Sequence, residues 1–173
     1  MQPDAMTRTP EFLPHFAYEV RMLAFTARRL SRYPDFGSMS PGHPDKQEHD
    51  AMLESFLIHV RVLDEFFRAG KHKDYPGDVR AADIIASFEP KTTPLERRLR
   101  KRIDQQLAHP TSVRLDRQPF PIRTMVHDVM QVVDLFLWEL PAEQRTDAPM
   151  VASLINEVSD ILSDHQIVDV DGS

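Results

Sequence analysis

The residues best suited to chemistry lie on one predicted helix, residues 98–109. At about 100° per residue, Arg98, Arg102, Gln105 and His109 share one stripe along this helix. Histidine titrates near neutral pH and can move protons, and the planar fork of N–H groups on arginine fits a phosphate. The types and spacing of Arg102 and His109 therefore suit binding and protonation of a phosphodiester.

A structural interpretation of the same stripe also stands. His109 lies near the end of its helix, where the helix dipole favours a protonated imidazole, so it would only cap that helix. Arg102 would then pair with solvent or with Asp64, a carboxylate at an apolar position of an earlier helix. A buried carboxylate needs a cation or a proton, and Arg102 or another arginine would supply the charge. On the edge of that earlier helix, His59 is expected to be a hydrogen-bonded packing residue.

The charge of the chain is unevenly distributed. Its net charge of −6 argues against a protein that coats nucleic acid generally, yet residues 91–117 hold eight basic and three acidic side chains, an excess of five positive charges. This excess indicates either an anion-binding surface or a solvated helix face.

The hydrophobic pattern predicts an all-α protein. Apolar residues recur at three- and four-residue steps, and no segment alternates as a strand with hairpin turns. We therefore predict an antiparallel bundle of about five to six helices. The predicted helices are 12–30, 46–69, a short one capped by Asp78, one from Pro94 to His109, one between Pro121 and Pro141, and 148–163.

The length of 173 residues predicts one domain, at residues 11–165. Residues 1–10, with Pro3 and Pro10 and no periodicity, are expected to form a flexible tail, and residues 166–173 an acidic one. Apolar runs fall far short of the roughly 20 residues of a membrane span, and the first residues lack a hydrophobic signal region. We therefore expect a cytoplasmic protein without a membrane partner.

Metal-binding signals are weak. The chain has no cysteine, so a metal would need histidine and carboxylate ligands. His49, Asp50 and Glu54 lie close in sequence and could combine with His109 or His127 in a bundle core. No pair has the His-x-x-x-His or Glu-x-x-His spacing that places two ligands on one helical face. We predict no metal and no cofactor.

One segment resembles a known family. The run Lys-Arg-Ile-Asp-Gln-Gln-Leu-Ala-His, with six residues between Arg102 and His109, resembles the arginine-to-histidine motif of the HEPN superfamily (higher eukaryotes and prokaryotes nucleotide-binding). Residues 53–67 also resemble an upstream helix of uncharacterised bacterial proteins of that general kind. Ile103 stands where the motif normally has a polar residue. Many members are metal-independent ribonucleases that work as dimers, often in toxin-antitoxin or phage-defence systems, whereas others bind nucleotides or have lost activity.

The resemblance implies a mechanism and a partner. The 2′-hydroxyl of RNA would attack its own phosphate, His109 would shuttle protons, and Arg102 would stabilise the charge of the phosphorane. Arg98, Gln105 and Arg114 would bind and position the substrate, and DNA would not be cleaved because it lacks the attacking hydroxyl. The chain would act on RNA as a homodimer.

Two other functional classes remain open. The stripe could instead form the intersubunit or protein-partner surface of a non-catalytic helical interaction module, or the chain could be a metal-dependent helical-bundle enzyme. The aromatic residues do not decide between these classes, because Phe56, Phe66, Phe67, Phe136 and Trp138 recur at helical positions that indicate a core rather than stacking on bases.

Overall fold

The computed structural model describes residues 5–32, 44–68, 79–89, 95–108, 120–142 and 149–163. These residues form helices and no strands, which confirms the predicted all-α bundle. Within these ranges, no helix combines the length and the apolar character that crossing a membrane requires. The helices are α1 (Ala5–Leu30), α2 (Pro44–Phe67), α3 (Ala81–Ile84), α4 (Arg97–Ala108), α5 (Ile122–Glu139) and α6 (Pro149–Ser163).

The core is organised around a cluster of phenylalanine rings. Phe136 of α5 lies at the centre, with its ring centroid 5.2 Å from those of Phe16 and Phe66 and 5.8 Å from that of Phe67. Phe88, just after α3, completes the cluster at 5.4 Å from Phe136. Each ring comes from the apolar stripe of its own segment, so burying these stripes brings α1, α2, α3 and α5 together.

Two helix pairs are antiparallel. In the α1 and α2 pair, Phe12 contacts Phe66 and Glu19 contacts His59, so the chain runs in opposite directions along the two helices. Between α2 and α4, Asp64 contacts Arg100 and the earlier Arg61 contacts the later Asp104. Helix α2 thus lies between α1 and α4 and sets the position of each. Helix α5 packs on α1, α2 and α6, helix α6 also packs on α1, and the short α3 contacts α1 and α2.

Three predicted boundaries are corrected by the structure. Residues 5–10, which we assigned to a flexible tail, belong to α1. Pro10 lies inside this helix, although a proline removes one backbone donor and its ring crowds the carbonyl four residues earlier, so Pro10 does not mark the helix start. Helix α4 begins at Arg97 rather than Pro94. The N-cap of α3 is Arg80, whose backbone N–H donates to Asp83 Oδ2 at 2.9 Å. The predicted cap Asp78 and the acidic tail 166–173 lie outside the described residues.

A two-pronged ion pair joins α1 to α6. Arg21 Nε donates to Glu157 Oε2 at 2.9 Å, and Arg21 Nη2 donates to Oε1 at 2.8 Å. The hydroxyl of Ser153 donates to the same Oε1 at 2.8 Å. The hydrogen bond from Arg21 outweighs desolvation and holds the pKa of Glu157 below its ordinary value.

This pair predicts a pH-dependent contribution to stability. A carboxyl group whose pKa is lower in the folded state stabilises the protein above its unfolded pKa, and this contribution is lost as the pH falls through the folded pKa. We therefore expect Glu157→Gln to flatten the acid side of the stability profile, with a loss at neutral pH below about 1 kcal/mol because the pair is partly exposed. Urea unfolding across the acid range measures this change, with Asp160→Asn on the exposed face of α6 as the control. Identical profiles for wild type and Glu157→Gln would contradict it.

Candidate functional site

The candidate site is built on α4, which a buried ion pair anchors to α2. Asp64 is fully buried. Arg100 holds both of its oxygens, with Nε donating to Oδ2 at 2.6 Å and Nη2 to Oδ1 at 2.8 Å. Arg68 adds a third bond to Oδ2 at 3.0 Å. Of the predicted partners, Arg102 or another arginine, it is thus Arg100 together with Arg68 that neutralises Asp64.

Further contacts fix the rotation of α4 about its axis. Ile103 is 1% exposed and packs into the core, and Arg100 Nη2 also donates to the carbonyl of Leu95 at 3.1 Å. Arg61 Nε of α2 lies 3.3 Å from Asp104 Oδ1. The hydrogen bond to Asp64 raises the pKa of Arg100, so this cation stays charged throughout the working range of pH. Because one side of α4 is held in this way, its opposite side faces solvent.

That opposite side carries most of the basic residues of the helix. Arg97, Arg98 and Lys101 are exposed, and none of them has an acidic partner among the described residues. Gln105 and Arg102 are half-buried beside them. We call these five residues the outward face of α4. The acidic side chain within the helix, Asp104, is engaged by Arg61 instead, so the outward face keeps its positive charge.

Arg102 lies at the edge of the outward face and stacks on an aromatic ring. Its guanidinium carbon is 4.0 Å from the ring centroid of Phe120, which stands two residues before the first residue of α5. Such stacking on an aromatic face is favourable for arginine and restricts its rotamers. A guanidinium held by its face directs its N–H groups sideways, which is the geometry that suits a phosphate. Phe120 therefore orients the side chain that the sequence analysis singled out as catalytic.

The structure brings together only part of the predicted site. Arg98, Arg102 and Gln105 share the outward face, as their spacing predicted. His109 and Arg114 lie outside the described residues, so the pairing of Arg102 with His109 stays a prediction. Sequence reasoning missed Arg97 and Lys101, although their four-residue spacing places them on one helical face. It also missed Phe120, because no periodicity links that residue to α4.

His59 lies elsewhere, between α1 and α2. Its side chain is largely buried, and Nδ1 is 2.6 Å from Glu19 Oε2. The ring of Tyr18 contacts it edge-on, with the ring centroids 6.0 Å apart. His59 is thus a hydrogen-bonded packing residue between two helices, and its partner Glu19 belongs to α1 rather than to α4.

The candidate metal ligands are used for local ion pairs. His49 Nδ1 is 3.2 Å from Asp50 Oδ1, and Lys46 Nζ is 2.9 Å from Asp50 Oδ2. His127 Nε2 lies 3.2 Å from the side-chain nitrogen of Gln131. In the part of the chain that the structure describes, no three histidine, aspartate or glutamate side chains are arranged to hold a metal ion.

The motif that resembles the HEPN superfamily can now be placed on the fold. Its arginine, Arg102, belongs to the outward face, and its histidine follows directly after the last residue of α4. Ile103, the residue after this arginine, is buried in the core. No protein-family model matches the sequence, and neither a curated protein nor a solved structure shows significant similarity to it.

Proposed function

We propose that the protein binds RNA through the outward face of α4 and cleaves it with Arg102 and His109, as a metal-independent ribonuclease of the HEPN-like kind. One observation carries the binding part of this proposal. Arg97, Arg98 and Lys101 are exposed without acidic partners in the described residues, while Asp104 is directed to Arg61. Clustered cations of this kind bind the phosphate backbone of nucleic acids.

The clustered positive charges of the outward face repel each other, which lowers the stability of a helix that only faces solvent. Like charges four residues apart repel each other along a helix, and this applies both to Arg97 with Lys101 and to Arg98 with Arg102. A surface selected only for solubility would intersperse acidic residues, as α2 does with Arg61 and Glu65 at 3.2 Å. The absence of acidic partners for Arg97, Arg98 and Lys101 within the described residues supports a role in binding an external anion.

The chemistry proposed for this surface follows from residue types. His109 would accept the proton of the attacking 2′-hydroxyl and return a proton to the leaving oxygen. Arg102, oriented by Phe120, would stabilise the negative charge that develops on the non-bridging oxygens of the phosphorane. Arg98, Gln105 and the more distant Arg114 would hold the backbone. The resemblance also leads us to propose that the active species is a homodimer, which sedimentation velocity measures directly.

The binding proposal predicts the salt dependence of affinity. A variant with Arg97→Gln, Arg98→Gln and Lys101→Gln is expected to bind single-stranded RNA more weakly. The logarithm of the affinity falls as the logarithm of the salt concentration rises, and each phosphate contact removed should make this slope shallower by about 0.7. Fluorescence anisotropy of a labelled oligonucleotide at several salt concentrations measures both quantities.

A matched control variant carries three neutralised arginines elsewhere. Three exposed arginines lie near the end of α1, a different helix from α4: Arg28, Arg29 and Arg32. Changing all three to glutamine removes the same charge and should leave the slope nearly unchanged. Equal losses in the two triple variants would show a diffuse charge effect and contradict a binding face on α4.

The second candidate function is a helical protein-interaction module. This function is favoured by aromatic side chains that lie outside the core. Tyr18 and Phe25 of α1 are 55% and 49% exposed, and Trp138 of α5 is 57% exposed. Exposed aromatic residues are typical anchors of protein interfaces. Such a module would bind its partner through apolar surface, so its affinity would change little with salt, and it would show no RNA binding.

A further inference from the structure

A cavity of about 320 Å³ opens between the segment of α1 from Phe12 to Glu19 and the last turns of α2. Its floor consists of phenylalanine rings. Phe66 stacks on Phe12 with ring centroids 5.0 Å apart, and Phe16 lies 5.2 Å from Phe66. Val79 and Arg80, which precede α3, close one side. The volume is at the small end of the range for ligand pockets, which suits a compact molecule with an apolar body.

The polar residues of this cavity differ in whether their charge is neutralised. Glu19 is 2.6 Å from His59, and Glu65 is 3.2 Å from Arg61. The backbone N–H of Arg80 donates to Asp83, but its guanidinium contacts no carboxylate among the described residues. Its Nη1 donates to the backbone carbonyl of Arg68 at 2.8 Å, and a carbonyl carries no net charge. The half-buried guanidinium of Arg80 is therefore the uncompensated charge in the cavity wall.

The hydrogen bonding of Arg80 leaves a particular edge available. Since Nη1 is engaged by the carbonyl of Arg68, the edge formed by Nε and Nη2 has no partner in the described part of the chain. This edge presents two parallel N–H donors, which match the two oxygens of a carboxylate. A cation held half-buried beside apolar rings is costly, and an anionic ligand removes that cost.

We propose that this cavity binds a small aromatic carboxylate, with the carboxylate on Arg80 and the aromatic ring on Phe12, Phe16 and Phe66. Offset and edge-to-face contacts with phenylalanine rings favour an aromatic body over a linear alkyl chain. His15 is exposed at the cavity wall and offers a further donor near the acid group. The site is separate from the outward face of α4, so it holds whether or not the chain cleaves RNA.

Calorimetric titration with a matched pair of probes tests this site. The probes are 3-phenylpropanoate and 3-phenylpropan-1-amine, which share a ring and linker and differ in the sign of their charge. The carboxylate is expected to bind more tightly than the amine by about tenfold or more, because a hydrogen bond to a charged group is worth that much in a partly buried site. Tighter binding of the amine would mean that Glu19 and Glu65 dominate the cavity, and would overturn the proposal.

Variants then locate the binding site on the chain. Arg80→Gln is expected to weaken binding of 3-phenylpropanoate by about tenfold or more, whereas Arg97→Gln on α4 should change it by less than about twofold. Val62→Trp tests the cavity itself, because Val62 lines the cavity and is 40% exposed, so a larger side chain can fill the space without entering the core. This variant should abolish binding with Arg80 intact, provided that circular dichroism shows an unchanged fold. Full binding by either Arg80→Gln or Val62→Trp, or no binding by wild type, would refute the assignment.

Discussion

RNA cleavage by the purified protein in EDTA is expected to fall by about 10²- to 10⁴-fold when His109 is replaced by alanine. Imidazole is the side chain whose ordinary pKa lies near neutral pH, and His109 is the first histidine after the cationic residues of α4 in the sequence. Without it, neither the attacking hydroxyl nor the leaving oxygen has a proton-transfer group. A 5′-labelled single-stranded RNA, resolved on a denaturing gel over time, measures the rate.

Two controls make this result specific. His127→Ala removes a half-exposed histidine of α5 whose contacts are local, with Gln131 and Asp128, and this variant should cleave like wild type. A DNA of the same sequence should stay intact, because it lacks the 2′-hydroxyl. Equal cleavage of RNA by wild type and His109→Ala would rule out the assigned role, and cleavage of the DNA would rule out the proposed transesterification.

The second large effect concerns stability rather than activity. Asp64→Ala is expected to lower the free energy of unfolding by about 3–5 kcal/mol, because it leaves Arg100 and Arg68 partly buried without their carboxylate. The change also removes the bond that holds α4 against α2. We therefore expect RNA affinity to fall together with stability in this variant, which urea unfolding and anisotropy measure on the same preparation.

Matched variants distinguish the loss of the buried ion pair from the general effect of a lost carboxylate on the free energy of unfolding. Asp160→Ala, on the exposed face of α6, should change the free energy of unfolding by less than about 0.5 kcal/mol. Adding Arg100→Met to Asp64→Ala should restore part of the loss, since two apolar side chains replace the unpaired cation. A loss below about 1 kcal/mol for Asp64→Ala would show that the buried pair does not anchor α4.

The helices were predictable from the sequence because each carries a continuous apolar stripe. The pattern within one helix is enough to show which of its sides is buried. The partner of Asp64 was not predictable in the same way. Arg98, Arg100 and Arg102 lie within little more than one turn, and the choice among them depends on how α4 rotates against α2. The burial of Ile103 turns Arg100 inward and leaves the other two outside, which periodicity within one helix does not specify.

The exposure of Trp138 and the lining of the cavity were also not predictable from the pattern within one helix. Trp138 was interpreted as core, yet it is 57% exposed because Phe136 and Leu137 occupy the inward positions at the end of α5. The cavity at Arg80 draws its walls from α1, α2 and the residues before α3. Its lining depends on how distant segments meet, so no local pattern predicts it.

The central claim, that RNA binds the outward face of α4, is tested most directly by an NMR titration of ¹⁵N-labelled protein with a short single-stranded RNA. We expect the largest shift changes at the backbone amides of Arg97, Arg98 and Lys101, with little change at exposed residues of α6 such as Asn156. Shift changes centred instead on Tyr18 and Phe25 of α1, or an absence of change at saturating RNA, would contradict the claim.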